Sequence, residues 1–184
     1  MLRIDVPTTE MFNQERQEFY EIKGCTLQLE HSLVSISKWE SKWNVSFLGT
    51  TDKTDEQLLD YIRCMTITQN VKEEVYEIIS HNADILHTIN EYIKAPMTAT
   101  VIYSAEANKP QKKETITSEL IYYWMIAANI PVEFQKWHLN RLLTLIKVCN
   151  AKNSPPEKRS KKEIAQEHAA INAARRKAMK AKKR

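Results

Sequence analysis

Glycine is scarce in this chain, and that scarcity limits the folds that the chain can adopt. Only two of the 184 residues are glycine, Gly24 and Gly49, and neither stands in a glycine-rich pattern. Loops that cradle phosphates, such as G-x-G-x-x-G and G-x-x-x-x-G-K-[ST], need several glycines at fixed spacing. The sequence therefore excludes Rossmann and P-loop nucleotide sites, and it predicts no cofactor.

Helix signals fill the middle of the chain. Apolar residues recur at three- and four-residue steps through residues 32–43, which is the period of a helix with one buried face. Thr54 and Gln57 have the spacing of a capping box, in which each side chain bonds the backbone N–H of the other. Asn82 predicts an N-cap for a further helix over residues 83–94.

Three short segments have the alternating or β-branched pattern of strands. They cover residues 2–6, 26–30 and 97–103, while residues 11–23 between the first two show no clear period. We expect the three segments to form one small antiparallel sheet beside the helices. The predicted fold class is therefore mainly α, a single helical domain with a small antiparallel β-sheet.

The most apolar part of the chain covers residues 116–149, and the helical hairpin over 116–152 is predicted to form the core. Asn129 and Pro131 divide it into a helical hairpin, with Pro131 at the first position of the second helix, where its missing N–H costs nothing. A projection at about 100° per residue puts Trp137 and Leu142 on the buried side of that second helix. The aromatic residues in helical periods are predicted as core, not as a platform for stacking bases: Trp39, Trp43, Trp124, Trp137, Tyr122 and Tyr123.

His138 and Arg141 lie three residues apart and project into the apolar side of the same predicted helix. A functional interpretation makes them an acid and an anion clamp, with Glu119 or Glu133 as the paired carboxylate. The structural interpretation is a buried polar network of His138, Arg141 and Glu119 that fixes the register of the hairpin. The structural interpretation is favoured, because no residue at a suitable spacing completes a catalytic triad, and we predict a protein that is not an enzyme.

The remaining candidates for chemistry have plain interpretations. Cys25, Cys64 and Cys149 are odd in number and scattered, which predicts buried, reduced thiols. His81 and His87 are six residues apart, and H-E-x-x-H is absent, so no metal site is predicted. No run of about eighteen apolar residues and no signal-peptide pattern occurs, which predicts neither a membrane span nor secretion.

Charge is distributed very unevenly along the chain. Residues 151–184 hold 12 basic and 3 acidic side chains, whereas residues 1–150 hold 15 basic and 20 acidic ones. Two prolines, Pro155 and Pro156, separate the two parts. We therefore predict a helical body over 1–152 and a basic helical extension over 153–184.

The basic extension is the predicted partner-binding surface. Ser160 and Glu163 predict a capping box, and an Ala-rich helix with a narrow apolar stripe follows. The extension has no Phe, Tyr or Trp, so any contact with DNA would be limited to phosphate attraction. A solvated helix, a protein contact and a nucleic-acid contact all remain open. The predicted contact residues are Ile164, Ile171, Arg175, Arg176, Lys177 and Lys180.

Residues 118–153, SELIYYWMIAANIPVEFQKWHLNRLLTLIKVCNAKN, resemble a segment found in small proteins of long-tailed bacteriophages. LQLEHSLVSISKWESKW at 27–43, CMTITQNV at 64–71 and APMTAT at 95–100 fit the same pattern, as does the basic extension. The resemblance therefore spans nearly the whole chain.

The proteins that this chain resembles look like products of the tail-morphogenesis region, which implies a tail assembly chaperone. Such a protein binds the long helical tape measure protein in the host cytoplasm until tail-tube subunits polymerise around it, and it needs many copies, so a homo-oligomer is compatible with the role. The alternative is a minor structural protein of the virion, a connector or tail-completion component that contacts DNA or a neighbouring ring. An enzyme acting on nucleic acid is the third hypothesis, and no catalytic constellation in the body favours it.

Overall fold

A computed structural model describes residues 1–13, 17–100 and 115–153. Two compact units divide the chain, Met1–Ala151 and Lys152–Arg184. The second unit beyond Asn153 lies outside the described residues, and so does the predicted basic helix. The first unit combines six α-helices and one 3₁₀ helix with two antiparallel strand pairs, counted over the described residues.

The elements follow one another with the strands first and the helices after them. In chain order they are β1 Leu2–Val6, β2 Thr9–Asn13, β3 Glu18–Ile22, β4 Cys25–Leu29, α1 Leu33–Trp43, α2 Asp55–Met65, α3 Glu73–His81, α4 Ala83–Lys94, α5 Ser118–Ala127, the 3₁₀ helix Val132–Lys136, and α6 Leu139–Asn153. The fold is thus richer in strands than the predicted mainly α domain.

The four strands form one long hairpin whose ladder is interrupted. β1 pairs with β4 as far as Val6–Cys25, and β2 pairs with β3 from Thr9–Ile22 onward. Both ladders keep the same register, and the gap falls where Pro7 would face Gly24. Proline has no N–H to donate, so it breaks a ladder at this point.

Gly24 is required at this interruption. A Cβ atom at position 24 would lie 2.5 Å from the carbonyl oxygen of Val6 and 2.7 Å from the backbone nitrogen of Thr8. The backbone N–H of Gly24 donates to the hydroxyl of Thr8 at 2.9 Å. Only a residue without a side chain lets the two strands approach this closely.

The predicted sheet is wrong in two places. Residues 11–23, which show no clear sequence period, form most of β2 and β3, because pairing across the hairpin continues the register set by β1 and β4. Residues 97–100 of the third predicted strand are in neither a helix nor a strand, and residues 101–103 lie outside the described part of the chain. The prediction for β1 and β4 is confirmed.

The N-caps predicted for α2 and α4 are confirmed, and each capping side chain lies within three residues of the N–H group that it binds. Thr54 and Gln57 form the predicted capping box at the start of α2. The side chain of Asn82 accepts from the backbone N–H groups of Asp84 and Ile85 at the start of α4. Ser32 caps α1, which begins at Leu33 as its period indicates.

Helix α1 lies at the centre of the body. It packs against α2, α5 and the 3₁₀ helix, while β1 packs against α3 and α4. The core therefore extends from the base of the hairpin through α1 to α6, and it is broader than the predicted core over 116–152. Its largest fully buried side chains include Trp39, Tyr61, Leu27, Leu29, Leu33, Ile36, Met65, Ile79, Ile121, Leu139 and Leu142.

The second helix of the predicted hairpin is divided. Pro131 precedes a 3₁₀ helix, Trp137 is extended, and α6 begins only at Leu139. His138 makes an antiparallel bridge with Ser32, and the N–H of Leu139 donates to the carbonyl of His31 at 2.7 Å. Pairing with a segment more than 100 residues away holds the chain extended where its local pattern favours helix.

The aromatic residues predicted as core have different degrees of burial. Trp39 is fully buried, whereas Trp43, Trp124, Trp137 and Tyr122 are half-buried. Tyr123 is 63% exposed, so the prediction is wrong for that residue. The three cysteines are free and half-buried, so they are less enclosed than the predicted buried thiols.

Candidate functional site

Two histidines meet at the junction of β4, α1 and α6. His31 and His138 are 2% and 5% exposed, and their ring centroids lie 5.0 Å apart in an edge-to-face arrangement. The ring of Tyr92 from α4 also contacts His138 edge-on, with centroids 4.9 Å apart. The backbone bridge between Ser32 and His138 holds the two rings together.

Hydrogen bonds define the state of the His138 ring. The carbonyl of Tyr92 lies 3.0 Å from Nε2 and can only accept, so Nε2 carries the proton. The backbone N–H of Asn140 points at Nδ1 at 3.3 Å, so Nδ1 accepts. Both ring nitrogens are therefore hydrogen-bonded when the ring is neutral. Burial also lowers the pKa of His138, which favours this neutral form.

A chain of polar groups extends from this pair. Nδ1 of His31 is hydrogen-bonded to the hydroxyl of Tyr61. The hydroxyl of Tyr92 donates to the carboxylate of Glu30 at 2.7 Å, and the amino group of Met1 lies 2.8 Å from the same carboxylate. Burial raises the pKa values of Tyr61 and Tyr92, so neither hydroxyl is a ready proton acid.

This cluster joins secondary structure elements and has the features of a structural network. Both nitrogens of His138 are bonded to backbone groups, and Nδ1 of His31 is bonded to the hydroxyl of Tyr61. Among the described residues, every buried side-chain nitrogen or oxygen has a hydrogen-bond partner. A catalytic group needs a free lone pair or proton facing a substrate, and His138 presents neither.

The structure places only one member of the predicted buried network in the interior. His138 is buried, but Arg141 and Glu119 are exposed. The guanidinium of Arg141 lies over the ring of Trp137, 4.0 Å from its centroid. Because α6 begins at Leu139, the buried face of the helix consists of Leu139, Leu142 and Ile146. Arg141 lies on the exposed face.

Acidification is expected to destabilise the fold through His31. Burial, and next to it the charge of His138, lowers the pKa of His31 from its usual 6.5 to about 3. Between these values the unfolded chain binds a proton that the folded chain does not. The stability contributed by neutral His31 is therefore complete above pH 6.5 and is lost as the pH falls toward 3. From pH 7.5 to pH 5, the free energy of unfolding should fall by about 2 kcal/mol through this residue.

Chemical denaturation at a series of pH values measures this effect. The variant His31→Asn keeps a polar group near the Tyr61 hydroxyl and removes the titrating ring, so its stability should fall less over the same interval. His87→Asn, at an exposed position on α4, is the matched control and should retain the wild-type dependence. If His31→Asn and the wild type have equal pH dependence, the assignment to His31 is wrong.

Two buried carboxylates, which the sequence analysis missed, connect α1 to its neighbours. Glu40 accepts from the backbone N–H groups of Phe47 at 2.8 Å and Ser118 at 2.7 Å. Asp60 accepts from the indole N–H of Trp43 at 2.9 Å and pairs with Lys42. Both carboxylates are occupied by partners within the fold, so their role is to position α1, α2 and α5.

A shallow cleft lies between β2 and the end of α3. Its volume is about 340 Å³, and its lining includes Met11, Glu10, Glu77, Ile78 and His81. Nδ1 of His81 is bonded within its own helix to the carbonyl of Glu77 at 2.8 Å. Among the described residues, no group of three or more His, Cys, Asp or Glu side chains is placed to hold a metal ion.

The outer side of α5 is unusually apolar for a surface helix. Residues 120–132 contain no charged side chain. Ile121 and Met125 face the core, while Tyr123 and Ile126 are 63% and 75% exposed on the opposite side. Val132 and Ile116, beyond the two ends of the helix, are also exposed. A helix that is apolar all round is normally buried on all sides, so this side of α5 is a candidate contact surface.

Comparison with known proteins adds no assignment. No family model, curated protein or solved structure matches this chain.

Two further predictions concern membranes and the basic extension. Within residues 1–13, 17–100 and 115–153, no helix combines the length and apolar character needed to cross a lipid bilayer. The predicted contact residues of the extension lie outside the described residues, so they stay predictions: Ile164, Ile171, Arg175, Arg176, Lys177 and Lys180.

Proposed function

We propose that this chain is a non-enzymatic tail assembly chaperone of a long-tailed bacteriophage, which binds the tape measure protein in the host cytoplasm while the tail is built. The observation that carries the proposal is the exposed apolar side of α5, where Tyr123 and Ile126 project into solvent. Exposed apolar patches on proteins are found at contacts with other macromolecules. The resemblance of residues 118–153, which contain α5, supplies the identity of that macromolecule.

The interior supports a binding role. The buried histidines and carboxylates hold one another and the backbone, as the bonds of His138 and Glu40 illustrate. The body therefore acts as a rigid support for an exposed surface. A chaperone needs such a support, because a helix docks in register only on a surface that keeps its shape.

The basic extension is the second proposed contact. Its positive charges would add long-range attraction to acidic stretches of the same partner, and two linked contacts strengthen each other. Deleting residues 154–184 tests this part alone. If co-expressed tape measure protein stays equally soluble with the shortened chain, the extension is not a contact.

Quantitative mass spectrometry tests the proposed role itself. The amount of this chain in purified virions is compared with its amount in the lysate of infected cells, each scaled to the major tail protein. A chaperone should be abundant in the lysate and missing from the particles. A fixed small copy number per particle would contradict the proposal and would favour a connector or tail-completion component.

A further inference from the structure

The two faces of the β2–β3 hairpin have different surroundings. In an antiparallel pair, directly opposed residues point to the same face, and successive pairs alternate between the two faces. Met11 is opposed to Tyr20, and Met11 lines the cleft beside Ile78 of α3. The pairs before and after this one lie on the other face, which we call the hairpin face: Glu10 with Glu21, and Phe12 with Phe19. All four of these side chains are exposed.

Two phenyl rings form the row of the hairpin face that is nearer the turn. Phe12 and Phe19 are 46% and 73% exposed, and their ring centroids lie 5.0 Å apart. Ile22, at the other end of β3, is buried, while the rest of that strand is exposed. Two aromatic side chains left together in solvent form an apolar patch of the kind that is found at contacts with other molecules.

Two carboxylates form the next row of the hairpin face. Glu10 and Glu21 are directly opposed, and like charges in that position destabilise a strand pair. Within the part of the chain that the structure describes, neither carboxylate is joined to another group by a hydrogen bond or an ion pair. A positive side chain placed between the two carboxylates would remove this repulsion.

The charges around the two carboxylates also favour a basic partner. Glu77 adds a third exposed carboxylate at the cleft that Glu10 borders. Lys23, two residues beyond Glu21, forms no ion pair with it. Phosphate groups of nucleic acids or lipids would bring more negative charge, and so would the same face of a second copy, so these occupants would be repelled. Charge complementarity therefore selects a protein segment that carries Lys or Arg.

The spacing of the two rows fits an extended segment. The rows are two residues apart along each strand, which corresponds to about 7 Å, and alternate side chains of an extended peptide have the same spacing. We propose that the hairpin face binds an extended, basic segment of a partner protein, with Lys or Arg between the two carboxylates and an apolar side chain, two positions away, on the two phenyl rings. The hairpin is a different element from α5, so the proposed function does not depend on this surface.

Fluorescence anisotropy of labelled peptides mixed with the full chain tests the proposal. The probe is a peptide that repeats Ser-Lys-Ser-Leu, which presents lysine and leucine alternately on one side when it is extended. A peptide that repeats Ser-Lys-Ser-Ser keeps the charge but lacks the apolar side chains, and its Kd should be higher by about fivefold or more. A peptide that repeats Ser-Glu-Ser-Leu reverses the charge and should not bind.

Removal of the two carboxylates should raise the Kd of the Ser-Lys-Ser-Leu peptide by about tenfold or more. The double variant is Glu10→Gln with Glu21→Gln. Its matched control is Asp52→Asn with Glu56→Gln, which removes the same charge from exposed positions before and within α2 and should change the Kd by less than about twofold. Loss of a like-charge pair should not lower the melting temperature, so weaker binding by the double variant would not come from unfolding.

Phe19→Ser tests the aromatic row separately, and it should raise the Kd of the same peptide by about fivefold. Leu58→Ser is the matched control, since Leu58 is also an exposed apolar residue, at 47% exposure on α2. This control should leave the Kd unchanged.

The proposal is overturned if the Ser-Lys-Ser-Leu peptide does not bind the wild type, or if the two double variants weaken its binding equally, since general charge attraction would then explain the binding. It is also overturned if Phe19→Ser binds the peptide as the wild type does. If the wild type is a dimer in sedimentation and the double variant at Glu10 and Glu21 is a monomer, the occupant is a second copy and not a partner protein. Each of these results leaves the proposed function standing, because that function rests on α5.

Discussion

Replacing Trp39 with alanine is expected to lower the free energy of unfolding by about 4 kcal/mol, which is typical of removing a buried tryptophan. Trp39 is fully buried between α1 and α2. Its indole N–H donates to the carbonyl of Gln57 at 2.9 Å, and its ring packs edge-on against Phe47 with centroids 5.1 Å apart. The substitution removes both contacts and leaves a cavity at the centre of the body.

Urea denaturation of the Trp39→Ala variant measures this loss. Tyr123→Ala removes an aromatic side chain from an exposed position, so it is the control, and its stability should stay within about 0.5 kcal/mol of wild type. Similar losses in both variants would mean that Trp39 does not hold the core together.

The Leu142→Ala substitution should lower the free energy of unfolding by about 3 kcal/mol. Trp137→Ala should lower it by only about 1.5 kcal/mol, although it removes more atoms. Leu142 is fully enclosed, with Leu139 and Ile146 buried on the same side of α6. Trp137 is half-buried, stacks on Phe134 with centroids 4.1 Å apart, and lies under the guanidinium of Arg141. The ring packs on these two side chains outside the buried core, so its removal leaves no enclosed cavity.

The same denaturation experiment compares the two residues directly. The sequence projection places both on the buried side of one helix and predicts comparable losses. In the structure, Trp137 and His138 separate the 3₁₀ helix from α6. We therefore expect Leu142→Ala to lose more stability than Trp137→Ala. The reverse order, or equal losses, would contradict the division of this segment.

Local signals in the sequence predicted the starts of α1, α2 and α4. The capping box of Thr54 and Gln57 and the cap at Asn82 involve atoms two or three residues apart, so neighbouring residue types suffice to specify them. The alternation of β1 and β4 was equally informative, because the base of the hairpin has one buried face, as Ile4 and Leu27 illustrate.

Candidate site residues were less predictable. The burial of His138 was predicted, but the exposure of Arg141 and Glu119 was not, because the orientation of these side chains depends on where α6 begins. Glu40 gave no signal, since its partners are backbone N–H groups of residues 7 and 78 positions away. A backbone N–H can donate to such a partner whatever its own side chain is, so the residue types around Phe47 and Ser118 carry no signal for the contact with Glu40.

The sequence alone determined the capped helices α1, α2 and α4, whose hydrogen bonds close within a few residues, and the strands β1 and β4, whose alternation marks one buried face. Tertiary structure decided the rest. It continued the hairpin through a segment without a period, started α6 at Leu139 through the pairing of His138 with Ser32, and left Tyr123 and Ile126 of an apolar helix in solvent. The start of α6 depends on a contact between residues far apart in sequence, and packing there outweighs local propensity. β2 and β3 are close in sequence, but four of the five residues of β3 are exposed, so this strand has no buried face to give an alternating pattern.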